Sequence, residues 1–336
     1  MIPNKADNID GCVVITGGTG SFGRAFTRYL LANTDAKIRV ASRDESKQED
    51  MQRELTDSRL TFILADVRDL RKLAQAVDGA TVIVHAAALK RVATGERQAD
   101  EFVKTNVTGT ANVIDAAILT SVPRTMFVSS DKAVAPFNAY GKSKAMAESL
   151  IIQANIRGAH RKIRFAAVRG GNVWGSRGSV IEIWRECLKT SKPIEVSDPS
   201  NTRFHLSMDE WCAFVWRAIG DMRGGEIFVP KLRAWKLDDL AHVFTRAHPD
   251  NAGEPYPFSI AGVLDGDKPH ETLIAPGEAY RTIDADWCYI VEPSEAVCGV
   301  WEYVPHLGRN LQDGFEYTSA QASRITREGL RNLIYG

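Results

Sequence analysis

The chain has few cysteines, no net charge and no long apolar run, and each shortage removes a class of protein. Its five cysteines (Cys12, Cys187, Cys212, Cys288, Cys298) are scattered, odd in number and form no C-x-x-C pair. That argues against a disulfide-framed secreted scaffold and a zinc knuckle, and fits a reducing compartment. The seven histidines are equally dispersed, so no metal site is expected. Lys plus Arg number 42 and Asp plus Glu number 42. With no overall positive field, a nucleic-acid partner is not expected. No stretch reaches the roughly 18 apolar residues of a membrane span. The opening MIPNKADNIDG carries no signal-peptide apolar core. The expectation is a soluble cytoplasmic protein that binds no membrane.

What is present is ordinary globular composition: 336 residues, 44% hydrophobic and 25% charged, enough for one large domain or two modest ones. The first half alternates two patterns. Short β-rich runs at Cys12–Thr16, Ile38–Ser42, Leu60–Ala65, Thr81–His85, Thr125–Ser130 and Ile163–Val168 are separated by helical patterns. Those helices are expected at Gly23–Leu31, Glu45–Leu55, Leu70–Val77, Ala99–Leu119 and Ala139–Ile156. Near-continuous apolar strands alternating with helices predict an α/β fold, a doubly wound parallel sheet covered on both faces. After about Gly170 the rhythm breaks into shorter pieces and a Pro/Gly-rich stretch, Gly253–Pro276. This predicts a dinucleotide-binding domain over 1–170. Residues 171–336 would form mainly a smaller mixed α/β substrate domain, with segments returning to the core. Ser319–Ile334 reads as an amphipathic helix.

Directly after the first strand comes Gly17-Gly18-Thr19-Gly20-Ser21-Phe22-Gly23. Glycines at this spacing let backbone N–H groups and a helix N-terminus approach a pyrophosphate. The second strand ends in Ser42-Arg43. Arginine there accommodates the 2′-phosphate of NADP, where an acid would select NAD. The following Asp44 suits the N-cap of the next helix. Asp66-Val67 after the third strand and Ala86-Ala87-Ala88 after the fourth fall where adenine and pyrophosphate contacts belong, or are strand-end turns. The chemistry resides in Ser129-Ser130-Asp131-Lys132 and Tyr140-Gly141-Lys142-Ser143-Lys144. Tyr140 and Lys144 share a helix face. An ammonium beside the phenol would lower its pKa towards neutrality.

On these residues the chain resembles the extended short-chain dehydrogenases/reductases. More narrowly it is similar to the UDP-N-acetylglucosamine 4,6-dehydratases of the inverting type. The likeness runs through TGGTGSFGR, SRDESKQ, ADVRDL, HAAALKRV, KTNVTGTANV, SSDKAV, YGKSK, GNVWGSRGSV, TRF and GGEIFVPK. The resemblance implies an NADP enzyme acting on a nucleotide sugar, assembled as a homo-oligomer. Tyr140, with Lys144 and Ser130, would take the C4 hydroxyl proton. Lys132 would remove the C5 proton, and Asp131 would protonate the departing 6-hydroxyl. Asp131 must then be protonated and Lys132 neutral, so their pKa values should rise and fall respectively. Both can face one sugar only if the backbone leaves extended geometry after Ser130. Lys90 and Asn106 would join the cofactor contacts. Lys90, Asn172, Arg177, Gly178, Ser179, Arg203 and Glu271 would line the substrate, with Arg203 as the diphosphate fork.

Two positions depart from the family pattern. Arg169-Gly170-Gly171-Asn172-Val173 lacks the usual tyrosine after the arginine. Leu264 replaces an arginine, with Asp265 beside it. Arg281 or another basic residue would have to compensate, or the nucleotide or sugar differs. A 4- or 5-epimerase shares the cofactor loop and Tyr140/Lys144 but needs no acid at Asp131. A non-catalytic NADP-binding protein needs neither.

Overall fold

The computed structural model describes residues 11–335 apart from 177, 249–252, 263–265, 300 and 302. In chain order, β1 (Cys12–Thr16), α1 (Ser21–Asn33), β2 (Lys37–Ser42), α2 (Glu45–Glu54), β3 (Leu60–Leu64), α3 (Leu70–Val77) and β4 (Val82–His85) form the first alternating half. Then follow α4 (Val92–Arg97), α5 (Ala99–Phe102), a π-helical turn (Val103–Thr108), α6 (Gly109–Leu119), β5 (Arg124–Ser130), α7 (Ala139–Gly158) and β6 (Arg164–Gly170). Beyond these lie β7 (Asn172–Val173), α8 (Val180–Lys189), β8 (Ile194–Val196), β9 (Thr202–Leu206), α9 (Met208–Asp221), β10 (Ile227–Pro230), β11 (Ala234–Lys236) and α10 (Leu237–Ala247). The chain finishes with β12 (Phe258–Ile260), β13 (Thr272–Ile274), β14 (Thr282–Ala285), β15 (Cys288–Val291), α11 (Glu295–Cys298), β16 (Arg309–Asn310), β17 (Tyr317–Thr318) and α12 (Arg327–Tyr335).

The expected doubly wound sheet forms, with strand order β16-β14-β15-β10-β6-β5-β4-β1-β2-β3. From β10 to β3 every pairing is parallel. Every residue of β1 and β4 is buried, because helices cover both faces. One apolar layer joins the sheet to α3, α6 and α7 through Leu73, Val113, Ile114 and Ile151. The opposite layer joins it to α1 and α9 through Phe26, Leu30, Val215 and Trp216. Strand order reverses at β1, between β2 and β4. In such sheets the ligand crevice opens beyond the strands' carboxyl ends at that point.

The chain after 170 contributes β10 and the antiparallel strands β15, β14 and β16 to this same sheet. Its remaining strands include a three-stranded sheet, β11-β9-β7. A third apolar cluster, around Trp184, Trp235, Leu240 and Phe244, lies beneath α8, α10 and α12. The helix expected over Ser319–Ile334 begins only at Arg327. Residues 319–322 form a turn closed on Thr318 O, and the next residues run beside Ala234, with Ile325 N–H donating to Ala234 O. The stretch expected to be irregular contains β12, which pairs with β8, and β13, which pairs with β17. No helix among the described residues is long and apolar enough to cross a membrane.

Candidate active site

The glycine loop is built by close approach. Gly17 has φ +67°, and a Cβ there would stand 2.7 Å from Ala87 Cα. At Gly23 a Cβ would stand 2.4 Å from Gly18 Cα, so the start of α1 lies against the loop itself. Gly20 caps α1 with no side-chain hydrogen bond. A helix N-terminus reached through such a glycine loop favours an anion. This cradle, with Thr19, Ser21 and Phe22 around it and Ala86-Ala87-Ala88 opposite, fits a dinucleotide pyrophosphate.

At the end of β2, Arg43 is about half exposed and its guanidinium stands 4.0 Å from Asp66. Asp44 caps α2 by accepting from Lys47 N–H, as the sequence suggested. Asp66 accepts from Arg68 N–H at 2.9 Å and so closes a strand-end turn. Buried Val67 follows it. Two residues expected at the cofactor commit their side chains to protein. Ser42 is held through its hydroxyl and carbonyl by Gln48 Nε2. Asn106 accepts from Leu89 N–H and donates to Leu89 O and Ser143 Oγ. Asn106 lies in a π turn at the centre of the helix expected over 99–119. There it clamps the loop after β4, in which Lys90 is exposed, onto α7.

After Ser130 the backbone leaves the strand for a 3-10 turn, Asp131–Ala133. Ser130 Oγ donates to Asp131 Oδ1 at 2.7 Å and accepts from Lys132 N–H. Lys132 Nζ stands 3.0 Å from Asp131 Oδ1 and 2.9 Å from Glu271 Oε1. The turn therefore brings neighbouring Asp131 and Lys132 together, as action on one sugar requires. Helix α7 docks directly on this turn. A Cβ at Gly141 would lie 2.3 Å from Lys132 O, and Asn138 caps the helix by accepting from Gly141 N–H. That docking buries Tyr140 beside the turn, with Phe102 edge-on at 6.4 Å. Lys144 Nζ donates to Val128 O at 2.7 Å and sits 3.9 Å above the Phe127 ring.

The electrostatics follow from this packing. Burial, reinforced by Glu271, holds the Asp131 carboxyl above its ordinary value although Lys132 opposes it. Lys132 departs from expectation: burial would neutralise it, but Asp131 and Glu271 on either side outweigh burial and its pKa rises. Glu271 is lowered despite burial, because Lys132 and Arg203 stabilise its charge. Tyr140 also departs from expectation. Burial raises its pKa, and the cation opposing that rise is Lys132, with help from the Ser130 hydroxyl. Lys144, expected in that role, is itself pulled down to about 7 by burial, against the pull of Glu148.

On the substrate side, Asn172 lies on β7, Arg203 on β9, and Ser179 caps α8. Asn172 Oδ1, Ser179 Oγ, Asp131 Oδ2 and Glu271 Oε2 are buried without a protein partner. Groups of this kind fit a polar ligand. Gly178, at φ +79°, has open space around it. The Arg203 fork, expected for a diphosphate, is already engaged by Asp267 at 2.6 Å and by the Thr202 and Pro269 carbonyls. Arg177, Leu264 and Asp265 lie outside the described residues. At Gly170 a Cβ would stand 2.9 Å from the buried Trp211 ring of α9, so a side chain there would need that ring to move. Arg281 turns instead to Glu292 O and Glu278. Lys268, which sequence reasoning passed over, lies close enough to Glu271 and Asp131 to feel both charges, and donates to Val134 O.

Comparison with known proteins places this geometry. Residues 13–293 match a family described as polysaccharide biosynthesis protein. The inverting UDP-N-acetylglucosamine 4,6-dehydratase of Campylobacter jejuni is 35% identical over 315 residues, covering 91% of this chain and 92% of that one. A UDP-glucose 4-epimerase of Rickettsia rickettsii is 35% identical over 331 residues, covering 97% and 96%. The X-ray structure of Pen from Bacillus thuringiensis superposes with a TM-score of 0.87 at 32% identity, covering 96% of each chain.

Proposed function

The chain belongs to the polysaccharide biosynthesis protein family within the extended short-chain dehydrogenases, and on that premise we propose that it is an NADP-dependent nucleotide-sugar 4,6-dehydratase. UDP-N-acetylglucosamine is the proposed substrate and a 4-keto-6-deoxy sugar nucleotide the product. The observation that carries this reading is the buried row Asp131–Lys132–Glu271 beside Tyr140. A raised carboxyl such as Asp131 is the group needed to hand a proton to a departing hydroxyl.

The residues then divide the work. Gly17, Gly20, Gly23 and the first turn of α1 hold the pyrophosphate, and Arg43 faces the 2′-phosphate. When bound, NADP supplies the acceptor for the C4 hydride and the donor that returns it at C6. Tyr140 takes the proton of the 4-hydroxyl, with the Lys132 charge and the Ser130 hydroxyl favouring its phenolate. The C5 proton, acidified by the new 4-ketone, leaves towards Lys132. Asp131 protonates the 6-hydroxyl, which departs as water. Asn172 and Ser179 offer unpartnered polar atoms to the substrate.

A second reading, a nucleotide-sugar 4-epimerase, is favoured by the Rickettsia relative, but it gives the buried Asp131 acid no task. The test is incubation of the purified protein with NADP and UDP-N-acetylglucosamine in deuterated water. Mass spectrometry and proton NMR follow the products. Loss of one water with a new C6 methyl signal supports the dehydratase, and the C5 configuration distinguishes inversion from retention. An epimer of unchanged mass supports the second reading.

A further inference from the structure

Held between two carboxyl groups, Lys132 lacks what a base for C5 must have. The charged and titratable groups facing it are Asp131 on its own turn, Glu271 and Lys268 before β13, Arg203 on β9 and Tyr140 on α7. An ammonium so placed has no lone pair with which to take a carbon-bound proton. Glu271 carries the lone pair that Lys132 lacks, although the charges around both groups oppose the proton's transfer in the resting site. It is 1% exposed, its Oε1 lies 2.9 Å from Lys132 Nζ, and its Oε2 is buried with no protein partner. Its backbone N–H is fixed by Ser319 Oγ at 2.9 Å, and Ser319 is tied in turn to Thr202. Arg203 Nε stands 3.8 Å from the same Glu271 Oε1.

We propose that Glu271 is the proton acceptor behind Lys132, taking the ammonium proton so that the freed amine can remove the C5 proton of the 4-keto sugar. This rests on the dehydratase reading. An N–H bond of Lys132 breaks as an O–H bond forms on Glu271. The C5–H bond breaks as a new N–H bond forms on Lys132, and its electron pair becomes the C5=C6 double bond. The C6–O bond breaks with its electrons, and the Asp131 proton completes the departing water. Before the step Asp131 is neutral, Lys132 positive and Glu271 negative. Afterwards Asp131 is negative, Lys132 positive and Glu271 neutral, so charge balances. Glu271 acts through Lys132 and is a positioning residue.

The experiment compares wild type, E271Q and E271D on UDP-N-acetylglucosamine with NADP in deuterated water. It follows absorbance of the reduced nicotinamide, deuterium at C5 and dehydrated product. E271Q should still reduce the nicotinamide, while product and C5 deuterium fall about a hundredfold or more. That loss should shrink as pH rises, because hydroxide then strips the Lys132 proton, and E271D should retain more turnover than E271Q. Wild-type product formation by E271Q with an unchanged pH profile would overturn the proposal. So would equal loss of both steps without alkaline recovery, since that marks a merely structural or substrate-binding group. If E271Q does not fold, E271D carries the test: product must fall more than nicotinamide reduction, and equal falls overturn the idea. Failure of the wild type to dehydrate any nucleotide sugar sinks the dehydratase reading and this proposal together. Wild-type dehydration with unaffected variants sinks the proposal alone.

Discussion

Replacing Asp131 by asparagine separates the acid's chemistry from its place in the packing. The two side chains are nearly the same size, so the substitution opens no cavity. Asparagine keeps the Oδ1 that accepts from Ser130 at 2.7 Å and Lys132 at 3.0 Å, and its Nδ2 falls where Oδ2 now has no partner. What it lacks is the transferable proton. Removing a positioned general acid lowers turnover by about 10²–10⁴-fold, or about 2.7–5.4 kcal/mol of barrier at 1.36 kcal/mol per tenfold. Nicotinamide reduction and cofactor affinity should persist, because the Tyr140 step needs no proton from Asp131. Stability supplies an independent check. The folded-state pKa of Asp131 is raised above its unfolded value. The wild type therefore loses stability as pH climbs from about 4 through that raised value. D131N escapes the loss, so its Tm relative to wild type should improve across that window. The assays are product mass spectrometry and thermal melts against pH. Near wild-type dehydration by D131N would refute the acid role, and a relative Tm that falls with rising pH would refute the electrostatics.

Three further outcomes follow from the same geometry. K144M tests the burial of this amine, read by thermal melts against pH. Because Lys144 is pulled down to about 7, wild-type stability rises with pH from there to the unfolded value of about 10.4; the Tm of K144M relative to wild type should be highest below that window and shrink across it. G23A should destabilise by about 1–3 kcal/mol, with weaker NADP binding by calorimetry, since its Cβ meets Gly18 backbone; unchanged affinity would contradict the close-approach account. R43E should lower affinity for NADP relative to NAD by about tenfold or more, measured by titration of both cofactors; an unchanged ratio would remove Arg43 from 2′-phosphate recognition.

The features legible in the sequence are those encoded over short spans. A glycine triplet between a strand and a helix dictates a backbone that approaches closely, and Gly17 and Gly23 do so. Buried parallel strands advertise themselves as apolar runs, hence the correct layout of β1 to β6. Asp44 as a cap is likewise local. The helix over 99–119 is legible in the sequence, whereas the π turn at its centre is not, because Asn106 there reaches Leu89 and Ser143, partners far along the chain. The start of α12 was misread for the same reason, since residues before it pair with Ala234.

The sequence by itself determined the fold class and the glycine loop after β1, and pointed to Asp131, Lys132 and Tyr140. Only the tertiary structure decided their protonation. Whether a lysine is neutral depends on which charges surround it once water is excluded. For Lys132 that balance is set by Asp131, folded back beside it by the 3-10 turn, and by Glu271, 139 positions away in the chain. Folding likewise gives the Arg203 fork to Asp267 and sets Trp211 against Gly170. Spacing along a chain fixes which residues share an element, whereas the field at a buried site is the sum over everything that folding brings around it.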